Sequence, residues 1–214
     1  MTMEIQDVIN RVEVYGFKSA VRGSKYPMAT DLSKVTEEVV PRTFALAKAI
    51  AGSGHDNFLN GIIVQFDLTF SNKAWVEAER YHFLDFISSQ STMHRITKFD
   101  LGKSYMSYVD PRMIEIMKEK VKAYNDLQEF QKNKVDVREE ERNDLKQKYL
   151  EILYSNPCGF RLTARMTTNY RQLKTIYKQR KDHRLPEWRV FCKWVETLPY
   201  AQFITGESKQ IVDN

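Results

Sequence analysis

The chain has 214 residues, of which 42% are hydrophobic and 29% charged, with a formal net charge of +5 at pH 7. This composition is ordinary for a soluble globular protein and excludes long disordered regions. No run of about 18 apolar residues predicts a membrane span. The start, "MTMEIQDVINRVEV", lacks the pattern of a secretory signal, and Cys158 and Cys192 have no metal-ligand spacing. We therefore expect a cytoplasmic protein with free thiols and no metal.

The modest positive charge fits a small anionic ligand such as a nucleotide, and it fits nucleic acid equally well. The charge is densest in the segment "NYRQLKTIYKQRKDHRLPEWR". The simplest interpretation of such a segment is a solvated basic face of a helix. Charge alone therefore leaves both kinds of partner open.

The first part of the chain predicts two strands and two helices. "VINRVEVYGF" alternates and ends at Gly16, which predicts a strand and a turn, and "GIIVQFDLTFS" is the clearest strand because its apolar residues alternate. "DLSKVTEEVVPRTFALAKAIAGSG" has helical spacing, with Pro41 as a kink or break and glycines 52 and 54 at its end. "NKAWVEAERYHFLDFI" predicts a helix capped by Asn72 whose buried side contains Trp75, Val76, Phe83, Phe86 and Ile87.

The remaining chain predicts mainly helices. "DPRMIEIMKEKVKAYNDLQEFQKNK" and "REEERNDLKQKYLEILYS" read as a helical hairpin with exposed charged faces, and "NPCG" ends it. A further helix begins near Asn169, and Pro186 opens a last one whose apolar stripe comprises Trp188, Phe191, Val195 and Leu198. Without a repeat or a linker, we expect one helix-rich α+β domain over residues 1–205 and a flexible tail over 206–214.

Arg180 is the first candidate functional residue. On the predicted helix, Leu173, Ile176 and Tyr177 form the apolar stripe, and Arg180 follows Leu173 by seven residues and Ile176 by four. The guanidinium therefore points inward, where an unpaired charge is costly. It either extends to the edge of the core or binds an anionic or carbonyl-bearing ligand.

The segment "SSQSTMHR", residues 88–95, contains hydroxyl groups, an amide, an imidazole and a guanidinium. Such a loop can bind an anion through its backbone amides, with Arg95 closing the site, although a plain polar connector is the commoner case. His55 in "GSGHDNF" either binds a ligand or belongs to an ordinary loop. Asn169 either caps its helix or borders a ligand, and Arg171 is either functional or exposed to solvent.

Several catalytic signatures are missing from the sequence. It contains no GxSxG, HExxH, Walker or Rossmann pattern and no cluster of Cys and His. Hydrolase and metalloenzyme functions therefore have little support.

The order of several segments resembles the flavin-dependent thymidylate synthases. These segments are "SAVRGSKYP", "GSGHDNF", "IIVQFDLTF", "SSQSTMHRI" and "TTNYRQLKTIYKQRKDHRLPEW". The family has an AVR segment, a GHE loop before a strand, the signature RHRxxSxNExSxRY, and an NxRxLxxFxxxR helix followed by one that contains Trp. Asn169, Arg171, Leu173 and Arg180 match that helix at the family's spacing. The matching segments cover well under half of the chain.

The signature itself is only partly kept. In an alignment without gaps, Phe83, Leu84 and Asp85 replace RHR, while Ser88 and Arg95 are retained. A gapped alternative sets residues 80–82, "RYH", against RHR, but it puts Ser88 and Arg95 out of phase. The family uses RHR to hold flavin and nucleotide, so Arg80 and His82 would have to compensate in part.

The resemblance implies an α+β fold with an antiparallel sheet and a homotetramer whose active sites are shared between subunits. It implies one-carbon transfer from methylenetetrahydrofolate to carbon 5 of a pyrimidine deoxynucleotide such as dUMP, with FAD as cofactor and NADPH as reductant. Arg180 would stabilise charge on the pyrimidine, and the other nucleotide-binding residues would be Arg80, Ser91, Thr92 and Arg95. The residues bordering flavin or folate would be His55, Ser88, Gln90, Asn169, Arg171 and His183.

Two other functions stay open. The first is a non-catalytic relative of the fold that binds nucleotide or nucleic acid through the basic C-terminal helix. The second is a structural protein whose central helices mediate assembly. The enzymatic hypothesis requires that Arg95 and Arg180, far apart in the sequence, converge on one hollow.

Overall fold

The computed structural model describes residues 3–50 and 53–206. The described chain forms two compact units. The first unit comprises residues 70–75 and 89–163, and the second comprises the other described residues. The single domain over residues 1–205 stays a prediction, and residues 207–214 of the expected tail lie outside the described part of the chain.

A four-stranded antiparallel sheet and a large helical content confirm the expected α+β class. The strands, in the spatial order β1-β2-β4-β3, are β1 (Ile9–Tyr15), β2 (Ile63–Ser71), β3 (Asp85–Ser89) and β4 (Arg161–Asn169). β1 pairs antiparallel with β2, with Tyr15 opposite Ile63.

The predicted alternation of β2 is confirmed. Val64, Phe66 and Leu68 are fully buried, whereas the residues between them are half-buried. In the second unit, the Phe66 ring lies 4.6 Å from the ring of Trp194 between centroids. This face of the sheet therefore forms the core of the second unit.

Gly16 joins β1 to α1 (Phe17–Gly23) in a left-handed conformation with φ of +74°. A Cβ at this position would lie 2.3 Å from the carbonyl oxygen of Gly61. Both the backbone conformation and the close approach require glycine, so the predicted turn is confirmed with a physical reason.

The predicted helix around Pro41 is wrong in its first half. α2 covers Pro41–Lys48, and only a short 3-10 helix at Leu32–Lys34 precedes it. Val40 is extended because the ring of the following proline disfavours the helical conformation, and Pro41 fits the first helical position. Of the two glycines expected at its end, position 52 lies outside the described residues.

The predicted helix from Asn72 is wrong beyond its first two turns. α3 covers Asn72–Ala78, and the chain then turns through Phe83, whose φ is +65°, into β3. Of the side chains expected on its buried face only Trp75 is buried, at 7% exposure, and the others are exposed by 47–65%: Val76, Phe83, Phe86 and Ile87. Pairing in the sheet has overridden the helical spacing.

The C-terminal helices agree with the prediction. α7 (Tyr170–Arg180) begins after Asn169, α8 (Pro186–Val195) opens with Pro186, and the four residues of the predicted stripe are all buried. A short further helix, α9 (Gln202–Thr205), follows, so α8 is not the last one. Both cysteines are free, and burial raises the pKa of the Cys192 thiol to about 12, which keeps it protonated.

The first unit contains the predicted helical hairpin, α5 (Pro111–Lys132) and α6 (Glu139–Ser155), and the four-residue helix α4 (Thr92–Arg95). Its buried core comprises Ile96, Leu101, Tyr105, Met117, Val121, Tyr124, Ile152 and Phe160. Within residues 3–50 and 53–206, no helix is apolar over a length that would cross a bilayer.

Candidate functional site

Arg180 lies at the end of α7 and points into the second unit, with 13% of its side chain exposed. Its Nε donates to the Tyr81 hydroxyl at 2.6 Å, and its Nη1 donates to Glu77 Oε2 at 2.6 Å. The guanidinium also lies 5.3 Å from the Tyr81 ring centre and 5.0 Å from that of Trp188. The inward direction predicted from the helical spacing is confirmed, and the charge has a protein partner.

His183 completes this cluster through the same carboxylate. The Leu185 N–H donates to His183 Nδ1 at 3.2 Å, so the neutral ring carries its proton on Nε2. Nε2 lies 3.1 Å from Glu77 Oε2, within ion-pair distance. Glu77 Oε2 therefore accepts from Arg180 and lies close to His183, whose Nε2 is 2.8 Å from Arg180 Nη1.

The cluster fixes the Arg180 guanidinium but leaves one of its donor groups, Nη2, without an acceptor in the part of the chain that the structure describes. Two ring contacts and three polar neighbours hold its plane, and Tyr81 is itself anchored by donating to Gln179 Oε1 at 2.8 Å. The Nη2 group has no partner among the described residues. A rigid guanidinium with one free end can donate to a carbonyl or phosphate oxygen of a ligand.

A second ionic cluster in the same unit surrounds Asp56, which is only 1% exposed. Lys174 Nζ donates to Asp56 Oδ2 at 3.0 Å and to the carbonyls of Ala47 and Ala49, both at 2.7 Å. Lys174 thus satisfies both a buried carboxylate and the C-terminal end of α2. Arg171 Nε lies 3.3 Å from Asp56 Oδ1, close enough for an ion pair but not aligned for a hydrogen bond.

We call the cavity next to these residues the Arg171 cavity. It has a volume of about 600 Å³ and is lined by Lys48, Ala49, Ile50, Asp56, Arg171, Lys174, Thr175, Lys178 and Gln179. Four of these side chains are cationic and one is anionic. The cavity therefore fits an anionic ligand, and the Oδ1 atom of Asp56 is an acceptor for a hydroxyl or amino group of that ligand.

Of the other predicted site residues of this unit, one caps a helix and three are exposed. Asn169 caps α7, because its Oδ1 accepts from the Gln172 N–H at 2.9 Å. His55 is exposed and directly precedes Asp56 in the chain. Ser88 is exposed on β3, and Arg80 is exposed beyond the end of α3.

The segment "SSQSTMHR" ends β3 and forms α4. Gln90 pairs with Thr163 twice: its N–H donates to the Thr163 carbonyl at 3.0 Å, and its side-chain Oε1 accepts from the Thr163 N–H at 2.9 Å. Ser91 and Thr92 are half-buried at the beginning of α4, whereas Arg95 is exposed at its end. The amide of Gln90 is thus already engaged within the protein.

Arg95 lies at a cavity of the first unit that we call the hairpin cavity. Its volume is about 700 Å³, and its lining comprises Met93, His94, Arg95, Thr97, Lys98, Tyr124, Gln128, Leu145, Lys146, Tyr149, Leu150 and Leu153. Because Arg95 and Arg180 belong to different units, their convergence stays a prediction.

The positions that replace RHR contribute no cation. Phe83 is 65% exposed, Leu84 is buried at 4% exposure, and Asp85 is exposed and negatively charged. Any contact of this segment with a phosphate would therefore have to come from neighbouring residues.

Sequence reasoning missed Glu77, Tyr81 and Lys174, which hold the two ionic clusters together. Tyr81 follows Glu77 by four residues in a segment that is rich in apolar residues. Lys174 directly follows Leu173. An acidic residue on the same helix as the buried Trp75 was the available signal for a buried ion pair. Nothing in the sequence linked it to Arg180, which is 103 residues away.

The fold is similar to that of solved flavin-dependent thymidylate synthases. One solved structure with this fold is flavin-dependent thymidylate synthase ThyX from Helicobacter pylori complexed with FAD and dUMP, with a TM-score of 0.63 and 13% identity over 95% of this chain and 99% of that chain. A second structure of Helicobacter pylori ThyX with FAD and dUMP has a TM-score of 0.61 and 13% identity over 92% and 98% of the two chains.

No family model matches the sequence, and no curated protein matches it either. At 13% identity, the likeness to ThyX establishes the fold alone.

Proposed function

We propose that this protein transfers a one-carbon unit to carbon 5 of a pyrimidine deoxynucleotide such as dUMP. The observation that carries the proposal is the fixed guanidinium of Arg180, held by Glu77, Tyr81 and the Trp188 ring with its Nη2 end free. The whole-length similarity to ThyX supports it, because those structures contain FAD and dUMP.

In this proposal the work of the protein is positioning and electrostatic stabilisation. Arg180 donates from Nη2 to a carbonyl oxygen of the pyrimidine and stabilises negative charge that develops on the ring. Glu77 keeps the guanidinium in place and neutralises its charge before the substrate binds. Arg95, with Ser91 and Thr92, binds the phosphate of the nucleotide. Arg80 contributes a further cation to the nucleotide.

The Arg171 cavity fits an anionic cofactor. Its lining supplies Lys48, Arg171, Lys174 and Lys178 as cations and one buried acceptor, Asp56 Oδ1. These residues would hold FAD, with His55 and Asn169 bordering it, and Ser88, Gln90 and His183 would complete the flavin and folate contacts. When bound, FAD would supply the redox step, with NADPH as the reductant and methylenetetrahydrofolate as the donor of the carbon.

Ligand titration of the purified protein tests the proposal directly. FAD should bind saturably and colour the protein, and dUMP should bind to the FAD-loaded protein with measurable heat. A protein that remains colourless in excess FAD would contradict the flavin assignment. Absence of any dUMP binding would contradict the nucleotide assignment.

A conservative variant of Arg180 separates catalysis from folding. Arg180→Lys keeps a positive charge beside Glu77 but removes the free end of the fork, so we expect turnover to fall about 100-fold. Product formation should be measured together with the denaturation midpoint. The matched control is Arg184→Lys, an exposed position three residues after Lys181, which should change turnover less than about twofold. Equal turnover of both variants would exclude the proposed role of Arg180.

We also propose a homotetramer for the active form. Light scattering of the purified chain should give four copies per particle. A monomer that turns over dUMP would contradict this assembly.

A further inference from the structure

The floor of the hairpin cavity is aromatic and aliphatic. The rings of Tyr124 and Tyr149 lie 5.1 Å apart between centroids at 54° to each other. Leu145, Tyr149 and Leu153 line the cavity and also pack on the buried core of the first unit, which fixes the floor. An aromatic ring of a ligand can bury apolar area here and contact two phenol rings at once.

The rim of the same cavity is cationic. Arg95, Lys98 and Lys146 line it, and none of them forms an ion pair with a described residue. His94 adds an imidazole, and no carboxylate belongs to the lining. The positive charge at the mouth is therefore not neutralised by the protein.

Another groove of the same hairpin shows that this pattern is not general. In that groove, which is lined in part by Lys120, Lys148 and Glu151, Lys120 contacts Glu151 at 3.3 Å and Lys148 contacts Asp144 at 3.8 Å. The hairpin supplies carboxylates to these lysines but not to the rim of the hairpin cavity. Unpaired cations over an apolar floor are the complement of an anion that carries a ring.

The two phenols stay neutral. Burial raises the pKa of both Tyr124 and Tyr149, although the nearby positive charge of Arg95 opposes the effect at Tyr149. Tyr149 donates to the Met93 carbonyl at 3.0 Å, and Tyr124 accepts from Gln128 Nε2 at 3.0 Å. Both rings are thereby fixed and add no negative charge.

We propose that the hairpin cavity binds a planar aromatic anion, whose ring lies on Tyr124, Tyr149 and the leucines and whose anionic group meets Arg95, Lys98 and Lys146. The resemblance to thymidylate synthases assigns no residue of α5 or α6. The natural source of the ligand rests on the proposed function, because a deoxynucleotide and a folate both join an aromatic ring to anionic groups.

The first measurement uses two fluorescent probes with the same ring system. 8-Anilinonaphthalene-1-sulfonate carries one negative charge, and N-phenyl-1-naphthylamine carries none. We expect one saturable sulfonate site per chain and an affinity for the neutral probe lower by about tenfold, the contribution of a partly solvated charge contact.

Two pairs of variants then test the rim and the floor separately. Lys146→Glu should weaken binding of the sulfonate about tenfold, whereas Arg142→Glu, an equal change in net charge one turn earlier on α6, should weaken it less than about twofold. Leu150→Trp should fill the cavity and weaken both probes. The control is Ile116→Trp, because Ile116 on α5 is similarly exposed, at 50% against 45% for Leu150, and does not line the cavity.

Competition identifies the source of the ligand. Displacement of the sulfonate by dUMP but not by 5-formyltetrahydrofolate assigns the cavity to the nucleotide, and the reverse result assigns it to folate. Displacement by neither, with the rim and floor effects intact, supports the aromatic-anion site and rejects its link to the proposed function. Equal sulfonate affinities for Lys146→Glu and Arg142→Glu, or for Leu150→Trp and Ile116→Trp, would overturn the inference.

Discussion

The two arginines that the sequence singled out lie in opposite environments. Arg180 in the second unit is 13% exposed and meets Glu77, Tyr81, His183 and the Trp188 ring. Arg95 in the first unit is exposed, has no ion pair with a described residue, and borders a cavity without carboxylates. Burial forces the protein to compensate a guanidinium, whereas exposure lets it keep one uncompensated for a ligand.

This difference separates two functions that one residue type can serve. A compensated arginine is held rigidly and can present one fixed donor to a reacting group. An uncompensated arginine attracts an anion over a longer range but positions it less strictly. The protein thus has one cation suited to orient a ring and another suited to capture a charge.

Removing the carboxylate partner of Arg180 should have the largest effect on stability. Glu77→Ala leaves a mostly buried guanidinium without its anion, so the free energy of unfolding should fall by about 3 kcal/mol. Urea denaturation measures it. The control is Glu115→Ala, which breaks an exposed pair with Lys118 and should cost less than about 1 kcal/mol. Equal losses in the two variants would show that Glu77 does not compensate a buried charge.

Lys174 compensates the second buried charge, that of Asp56. Its removal should also destabilise the fold, but by less than the removal of Glu77. Lys174→Met removes donors from Asp56 and from the two carbonyls at the C-terminal end of α2, which should cost about 2 kcal/mol. Thermal unfolding compares it with Lys193→Met, an exposed lysine on α8. If both variants have the same melting temperature, the contacts of Lys174 do not stabilise the fold.

Glu141 is a half-buried carboxylate that the protein compensates, so its exposure lies between those of the two arginines. A hydrogen bond from Lys134, with one from the Arg138 backbone, lowers the pKa of Glu141 to about 2. A lowered pKa in the folded state stabilises the protein above the ordinary value of 4.5, and this stabilisation disappears as the pH falls to about 2.

The melting temperature of the variant Glu141→Gln should therefore be lower than that of the wild type at pH 7 and equal to it near pH 2. Melting curves over this range measure the difference, and Glu140→Gln, at an exposed neighbour, should show none. A difference that is independent of pH would mean that the charge of Glu141 is not its cause.

Arg95 should show the smallest effect on stability. Because Arg95→Ala removes an exposed side chain without an ion pair, the free energy of unfolding should change by less than about 0.5 kcal/mol. The same urea titration used for Glu77→Ala measures it. A loss comparable to that of Glu77→Ala would mean that Arg95 is compensated by the protein after all.

The sequence predicted elements whose signal is local. The alternation of β2, the N-cap at Asn169 and the helical hairpin each depend on residues near one another, and all three agree with the structure. The inward direction of Arg180 followed from its spacing within one helix. These features depend on periodicity and capping, which a single sequence contains.

The elements that the sequence did not predict depend on distant partners. β3 reads as the end of a helix because Phe83, Phe86 and Ile87 have helical spacing, and pairing with a strand more than 70 residues later overrides it. β4 alternates through Ala164, Met166 and Thr168, which is too weak an apolar pattern to indicate a strand. The same holds for Glu77, whose meaning depends on Arg180.

Gln90 has a consequence for the loop that follows it. Its side chain accepts the hydrogen bond from Thr163 N–H that the Gln90 carbonyl would accept in a regular antiparallel pair. The ladder therefore stops at a defined rung, and the chain departs toward Ser91 at one fixed register. A residue without a side-chain acceptor at this position would lose this bond, so the chain that leads to Arg95 would be held beside its cavity by the main-chain bond alone.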